Sequence, residues 1–243
     1  MRAWLVVVLG AVTLSACVVV TERRSPSGEG AGPEGSGGSA GQYSFLHTRG
    51  SGKPVRWSTC EPIRYVVRRI NQPEGAQRLL RESISRISEV TGIEWASQGT
   101  TREAPTGKRR LYQPRRYGQD QWAPVLIAYS APEEYSRLRG QAAGYGGAAY
   151  VRQGNAPPRY VSGMAVFDAE QMTAMGGRQA MRAVMLHELA HVTGLGHVNN
   201  RNQLMNPVQY GRQVSHLQQG DIAGLRRLGN GACYEPLAPR SIR

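Results

Sequence analysis

The feature that most constrains this chain is the stretch HELAHVTGLGH, residues 187–197, which holds three of its five histidines. His187 and His191 are four residues apart, so on a helix they lie on one face and can direct their imidazoles at a common point. Gly194 follows, and glycine readily adopts the positive φ that ends a helix and reverses the chain. The reversal would return His197 to the same point. The stretch therefore predicts a helix, a turn and three converging imidazoles.

Three converging imidazole nitrogens are a typical ligand set for Zn²⁺, which binds such nitrogens at about 2.0–2.1 Å. Three protein ligands leave one position for water, which is typical of a catalytic zinc. Glu188 follows the first ligand on the same turn and can serve as the general base. The shorter pattern H-E-x-x-H also occurs in unrelated helices, but here Gly194 and a third histidine match as well. We predict one catalytic zinc ion, held by His187, His191 and His197.

The pattern of apolar residues predicts the order strand, helix, four strands, helix, helix. The predicted strands cover 62–70, 93–97, 124–130, 146–151 and 160–168, and the predicted helices cover 73–92, a segment starting at 177, and 215–229. A polar, arginine-rich stretch between the second strand and Trp122 is predicted to be a loop. This order indicates an α+β or mixed α/β domain in which helices cover a sheet.

The pattern H-E-x-x-H-x-x-G-x-x-H resembles the signature of the metzincin zinc proteases, which also have a methionine in a tight turn beneath the metal. Met205 in QLMNP (residues 203–207, here the Met-turn) matches that methionine, and packing in the core is the alternative. The succession of elements most resembles the matrixins, the matrix-metalloproteinase branch, over residues 60–229. The resemblance implies a twisted, mostly parallel sheet with an antiparallel edge strand. Only residues 187–207 carry specific motifs.

The resemblance also implies a reaction, the hydrolysis of peptide bonds in a protein or peptide substrate. Zinc would activate a water, and Glu188 would take the water's proton and pass it to the leaving amine. The substrate would run extended beside the edge strand at 146–151. Pro207 and Tyr210 would belong to the substrate pocket, with packing as the alternative for Tyr210. Asp221 would brace the Met-turn, unless it is a solvent-facing helix carboxylate.

The sequence departs from the matrixin pattern in several places. Val198 follows the third histidine, where matrixins usually have serine, so the metzincin branch stays open. We find no cysteine-switch motif, and the histidine and aspartate ligands of the matrixin structural zinc are missing before residue 146. We therefore expect no second zinc. Calcium is possible through the family, but no acidic cluster resembles a calcium loop.

The first residues predict export. Arg2 precedes an apolar run at 5–14, which is shorter than the roughly 18 apolar residues that a membrane span needs. The sequence LSAC at 14–17 resembles the lipobox of bacterial lipoproteins, in which the signal is cut before a cysteine that then carries lipid. We predict a signal peptide over 1–16 and a lipidated Cys17 that anchors the protein at the membrane surface of the cell envelope. An ordinary signal peptide and a secreted protein are the alternative.

A linker and one domain follow the predicted signal. Residues 25–42 contain no aromatic and no large aliphatic side chain, so they cannot offset the entropy of ordering by burying apolar surface. We assign residues 17–42 to the lipidated cysteine and a Gly/Ser/Pro linker, and 43–243 to a matrixin-like protease domain. In an oxidising compartment the remaining cysteines, Cys60 and Cys233, are predicted to form a disulfide, with two free thiols as the alternative.

The charge balance is strongly basic, with 30 Lys and Arg against 17 Asp and Glu and a formal net charge of +13. Such a protein is attracted to anionic lipids, acidic wall polymers or acidic protein substrates. No recognition motif accompanies the charge, so we predict no specific nucleic acid partner, and we expect a monomer.

Two other functions compete with proteolysis. One is a non-catalytic, zinc-containing surface lipoprotein that binds an anionic partner through its arginines. Glu188 and the open fourth ligand position argue against it, because a structural zinc needs neither. The other is a zinc hydrolase acting on wall peptides, which the long histidine motif disfavours.

Overall fold

The structure is a computed structural model that describes residues 15–20, 43–175, 177–210 and 214–239. The strands are β1 (Ser15–Val20), β2 (Ser44–Phe45), β3 (Ile63–Arg68), β4 (Trp95–Thr100), β5 (Val125–Ser130), β6 (Ala142–Val151), β7 (Arg159–Asp168), β8 (Leu195–Gly196) and β9 (Val208–Tyr210). The helices are α1 (Ala76–Thr91), α2 (Pro114–Tyr117), α3 (Ala169–Ala174), α4 (Arg178–Thr193) and α5 (Gln219–Gly229), with one 3-10 turn at Ser136–Leu138.

Five strands form the body of the main sheet, in the order β4-β3-β5-β7-β6. The first four run parallel to one another, and β6 runs antiparallel to β7. This arrangement confirms the predicted mixed α/β fold, with a mostly parallel sheet and an antiparallel strand on one side. β1 pairs antiparallel with the other side of β6, and β9 pairs parallel with β1, which extends the sheet to seven strands. β2 and β8 form a separate two-stranded sheet.

β5 lies in the middle of the sheet and is buried along its whole length, as its continuous apolar run predicted. Its successive side chains enter two different cores, because neighbouring strand residues point to opposite faces. Val125, Ile127 and Tyr129 pack in the larger core with apolar residues of α1, α4 and α5. Leu126 and Ala128 pack in a smaller core on the other face. The helix that carries the histidine motif therefore lies on the side of the larger core.

The predicted starts of two helices are wrong by several residues. α1 starts at Ala76 rather than at residue 73, because Gly75 takes a φ of 72° that lies outside the helical region. α5 starts at Gln219 rather than at residue 215, because Gln218 and Asp221 form a capping box that fixes the first turn there. In both cases the residues at the N-terminal cap, rather than the start of the apolar pattern, determine where the helix begins.

The sequence interpretation missed two short helices and the first part of β6. β6 begins at Ala142, ahead of the predicted strand at 146–151, because its first residues are small and have weak strand propensity. α3 follows β7 directly, with the Asp168 carboxylate accepting a hydrogen bond from the Gln171 amide. α2 is a four-residue helix inside the stretch that was predicted to be a loop.

A disulfide joins Cys60 to Cys233, the pair that the cysteine count predicted. It ties the segment before β3 to the segment after α5, 173 residues later in the chain. The predicted signal peptide up to residue 14 and the predicted linker at 21–42 lie outside the described residues. Within the described ranges, no helix combines the length and the apolar character needed to span a membrane.

Candidate metal centre

Helix α4 ends at Gly194 and releases the chain toward the third histidine, as the motif predicted. Gly194 has a φ of 122°, and its amide donates to the carbonyls of Ala190 and His191 at 3.0 Å. A Cβ on Gly194 would lie 3.0 Å from the Tyr160 ring and 3.2 Å from a Leu228 methyl. Both the positive φ and the close packing therefore favour glycine at this turn.

The three imidazoles of the motif converge, as predicted. The Nε2 atom of His187 lies 3.0 Å from that of His191 and 3.1 Å from that of His197, and the third separation is also 3.1 Å. His187 Nδ1 lies 2.8 Å from the Leu204 carbonyl, and His191 Nδ1 lies 2.7 Å from the Leu195 carbonyl. Because a carbonyl only accepts, each of these Nδ1 atoms carries the proton, and each Nε2 presents its lone pair.

Lone pairs this close together repel one another unless a cation lies among them. Two nitrogens that bind one zinc ion at about 2.0–2.1 Å can be at most about 4.2 Å apart, so the observed separations fit a common ion. Backbone carbonyls that fix the tautomer of a ligating histidine are typical of metal centres. The three histidines form a group able to hold a metal ion, and their donor set suits zinc.

Burial keeps the three histidines neutral, which is the state that binds metal. It lowers the pKa of His187 to about 4 and that of His197 to about 3. The pKa of His191 falls well below its ordinary value, first through burial and then through the neighbouring histidines. At neutral pH all three rings are therefore uncharged.

Glu188 lies on the same helical turn and is completely buried. Burial raises the pKa of its carboxyl well above the ordinary value, and the Gly146 backbone opposes this rise more weakly. That backbone group is close but does not have hydrogen-bond geometry, and neither Glu188 oxygen has a partner among the described residues. A buried carboxyl without a partner is costly for folding, so its position points to a chemical role.

Two glycines of β6 allow this strand to approach Glu188 closely, and the sequence interpretation gave them no role. A Cβ on Gly144 would lie 2.8 Å from the Glu188 Cγ. A Cβ on Gly146 would lie 2.3 Å from the Glu188 carbonyl oxygen. The signal that could have found them is the spacing G-Y-G, because alternate strand residues point to the same face.

The Met-turn closes the site from the side of α5. Met205 is buried in the larger core, and its carbonyl accepts a hydrogen bond from the Val198 amide at 3.0 Å. Asp221 is fully buried and accepts from the amides of Leu204 at 2.9 Å and Met205 at 3.2 Å. The bracing role expected for Asp221 is confirmed, and the alternative of a solvent-facing carboxylate is wrong. Burial raises the pKa of Asp221, although the Gln218 amide and these two amides lower it.

The other predicted site residues lie at the end of the Met-turn, in β9 and in β1. Pro207 is half-buried at the end of the Met-turn, and Tyr210 is the last residue of β9. The side chain of Tyr210 is outside what the structure describes, so its place in a substrate pocket stays a prediction. Cys17 lies in β1 with its backbone opposite Gly144, and its lipidation also stays a prediction.

β1 lies between β6 and β9 in the sheet. It pairs with the part of β6 that contains the two glycines facing Glu188. It pairs antiparallel with β6, where Ser15 is opposite Gly146 and Cys17 is opposite Gly144. It pairs parallel with β9, where Val18 is opposite Val208. The paired part of β6 is 142–146, which overlaps the predicted edge at 146–151 only at its first residue. An extended strand, β1, thus pairs with β6 on one side and with β9 on the other.

Comparisons with known proteins find a family match over part of this chain. The sequence model of the matrixin family matches residues 137–229, which include the three histidines, Met205 and Asp221. A sequence comparison with curated proteins finds no match. Among solved structures, the chain is similar to high choriolytic enzyme 1, a hatching-enzyme zinc-protease from Oryzias latipes (medaka fish), at 12% identity and a TM-score of 0.37, covering 76% of this chain and 98% of that one.

The matched family and the histidine geometry together define a zinc metalloendopeptidase. Residues 137–229 are similar to the matrixin family, which covers part of the chain.

Proposed function

We propose that this protein is an exported zinc endopeptidase that hydrolyses peptide bonds of extracellular or envelope proteins, with Glu188 as the general base. The observation that carries the proposal is the convergence of three neutral imidazoles beside a buried carboxyl without a partner in the described chain. A zinc site that served folding alone would not need that carboxyl.

The chain's own residues would bind the metal and move the proton. His187, His191 and His197 would hold zinc, which when bound supplies a Lewis acid and lowers the pKa of a coordinated water. Hydrolysis forms a bond from the water oxygen to the carbonyl carbon and breaks the peptide C–N bond. Glu188 would take the water's proton on a carboxylate oxygen and deliver it to the leaving nitrogen. Its raised pKa suits a group that must both accept and release a proton.

An extended peptide is the substrate form that the pairing edges of β6 and β9 support. The backbone pairing of β1 with both strands supports a substrate strand that takes the same path, antiparallel to β6. Recognition through backbone hydrogen bonds places little demand on the substrate sequence. Pro207, directly before β9, and Tyr210, the last residue of β9, would form part of the pocket for the side chain beyond the cleaved bond.

The proposed location is the outer surface of a membrane, where a lipid on Cys17 would anchor a monomeric protease. The disulfide between Cys60 and Cys233 supports an oxidising compartment. The variant Cys17→Ser should leave the membrane fraction and appear in the soluble fraction, as measured by fractionation of expressing cells. A Cys17→Ser variant that stays with the membrane would contradict the lipid anchor.

The test of proteolysis uses the purified chain and casein as a general substrate. Digestion should stop with a zinc chelator and return when zinc is added. Glu188→Ala should abolish digestion while zinc content stays near one ion per chain, whereas Glu170→Ala, an exposed carboxyl on α3, should leave digestion unchanged. Zinc-loaded wild-type protein that cleaves neither casein nor gelatin, or full activity in Glu188→Ala, would overturn the proposal.

A further inference from the structure

The first residues of the predicted domain hold the loop that carries the third histidine. β2 pairs antiparallel with β8, so that Ser44 lies opposite Gly196 and Phe45 lies opposite Leu195. The Leu46 amide then donates to the Gly194 carbonyl at 2.8 Å. We call residues 44–46 the strap. The strap runs antiparallel to the segment between the end of α4 and His197, and each of its residues lies opposite one residue of that segment.

Ser44 makes a direct contact with the third histidine of the site. Its hydroxyl donates a 2.6 Å hydrogen bond to the backbone carbonyl of His197. A Cβ on Gly196 would lie only 2.5 Å from the Ser44 hydroxyl oxygen, so the strap and the loop are packed without spare room. The hydrogen bond and the glycine together fix where the backbone of His197 lies.

The strap also connects this loop to α5. A Cβ on Gly224 in α5 would lie 2.9 Å from the Cβ of Tyr43 and 2.6 Å from a Leu195 methyl. The residue before the strap therefore packs on the helix whose Asp221 braces the Met-turn. The strap thus joins two structures that flank the cluster, the loop before His197 and the helix behind the Met-turn.

The third histidine needs such support more than the other two. His187 and His191 lie inside α4, whose own hydrogen bonds fix their backbones. His197 comes after the helix has ended, on a loop whose ordering costs conformational entropy at each residue. If contacts from the strap already order this loop in the folded protein, metal binding does not have to supply that ordering.

We propose that Ser44 is a positioning residue for the third metal ligand, and that the strap sets the metal affinity of the site. The inference rests on the metal site of the proposed function, but not on the peptidase reaction. Groups that hold a metal ligand in place typically change metal affinity by about 10–100-fold when they are removed. Loss of one hydroxyl at Ser44 leaves the β2–β8 pairing intact, so we expect the lower end of that range.

The experiment measures zinc affinity in the full chain by competition with a chromophoric chelator. Ser44→Ala should weaken zinc binding about tenfold, and Ser44→Thr, which keeps the hydroxyl, should restore most of the affinity. Ser51→Ala removes a hydroxyl from an exposed turn seven residues later and should bind zinc like the wild type.

A second readout separates positioning of the ligand from a general effect on the fold. The visible spectrum of the cobalt-substituted protein reports the geometry of the ligands, and it should shift in Ser44→Ala but not in Ser51→Ala. Equal zinc affinity and equal cobalt spectra in Ser44→Ala and the wild type would overturn the inference. If zinc binds as expected but the wild type cleaves no protein, the peptidase proposal fails and the role of Ser44 stands.

Discussion

Replacing Asp221 with alanine removes the acceptor for backbone amides that hold the Met-turn. The amides of Leu204 and Met205 are buried and donate to the two carboxylate oxygens. The Gln218 amide also donates to Asp221, but Gln218 is half-exposed and water can replace that bond. A buried donor without a partner costs about 1–3 kcal/mol. Two such donors should therefore lower the free energy of unfolding by about 2–6 kcal/mol.

The assay is urea denaturation of the zinc-loaded protein at neutral pH, followed by circular dichroism. Asp168→Ala is the matched control, because that buried carboxylate caps α3 rather than holding the Met-turn, and its loss should cost about 1 kcal/mol. Zinc affinity should also fall in Asp221→Ala, because the Leu204 carbonyl orients His187. A loss of stability in Asp221→Ala no larger than that in Asp168→Ala would refute the bracing role.

Three further changes have defined outcomes. Gly146→Ala should reduce kcat/KM by at least tenfold with zinc content unchanged, because the new methyl group cannot fit against the backbone of Glu188. A variant with the same kcat/KM as the wild type would contradict the close packing. The pKa of Glu103 is lowered, because bonds from Arg109 and two neighbours outweigh the burial that raises it. Ionised Glu103 thus stabilises the fold at pH values above its ordinary pKa, and this stabilisation is lost as the pH falls through the lowered pKa. Glu103→Gln should therefore have a lower free energy of unfolding in urea than the wild type, and the difference should shrink in acid. A difference that does not depend on pH would argue against a role of the charge. Reduction of the disulfide, which spans 173 residues, should lower the free energy of unfolding by about 5 kcal/mol. An unchanged urea midpoint after reduction would contradict this.

The metal cluster could be predicted from the sequence because its geometry is local. His187 and His191 are fixed by the repeat of one helix, and Gly194 encodes the turn that returns His197. The buried strand β5 was also predictable, since an unbroken apolar run suits a strand covered on both faces. Features that depend on a few consecutive residues were therefore visible before the fold was known.

The remaining parts of the site depend on contacts between distant segments. Ser44 meets His197 across 153 residues of chain, and nothing in the local sequence around Ser44 marks that contact. Gly144 and Gly146 have a role only because α4 packs directly on β6. The start of β6 was missed for the same reason, because pairing with its neighbours overrides the weak strand propensity of small residues.

Zinc X-ray absorption spectroscopy of the purified chain tests the central claim most directly. If His187, His191 and His197 bind one zinc ion, the spectrum should show three imidazole nitrogens at about 2.0–2.1 Å and a signal for one further light atom. His197→Ala should lose one imidazole contribution, and His216→Ala, outside the cluster, should not. Zinc bound mainly by sulfur at about 2.3 Å, or a chain that binds no zinc when the metal is in excess, would contradict the assignment.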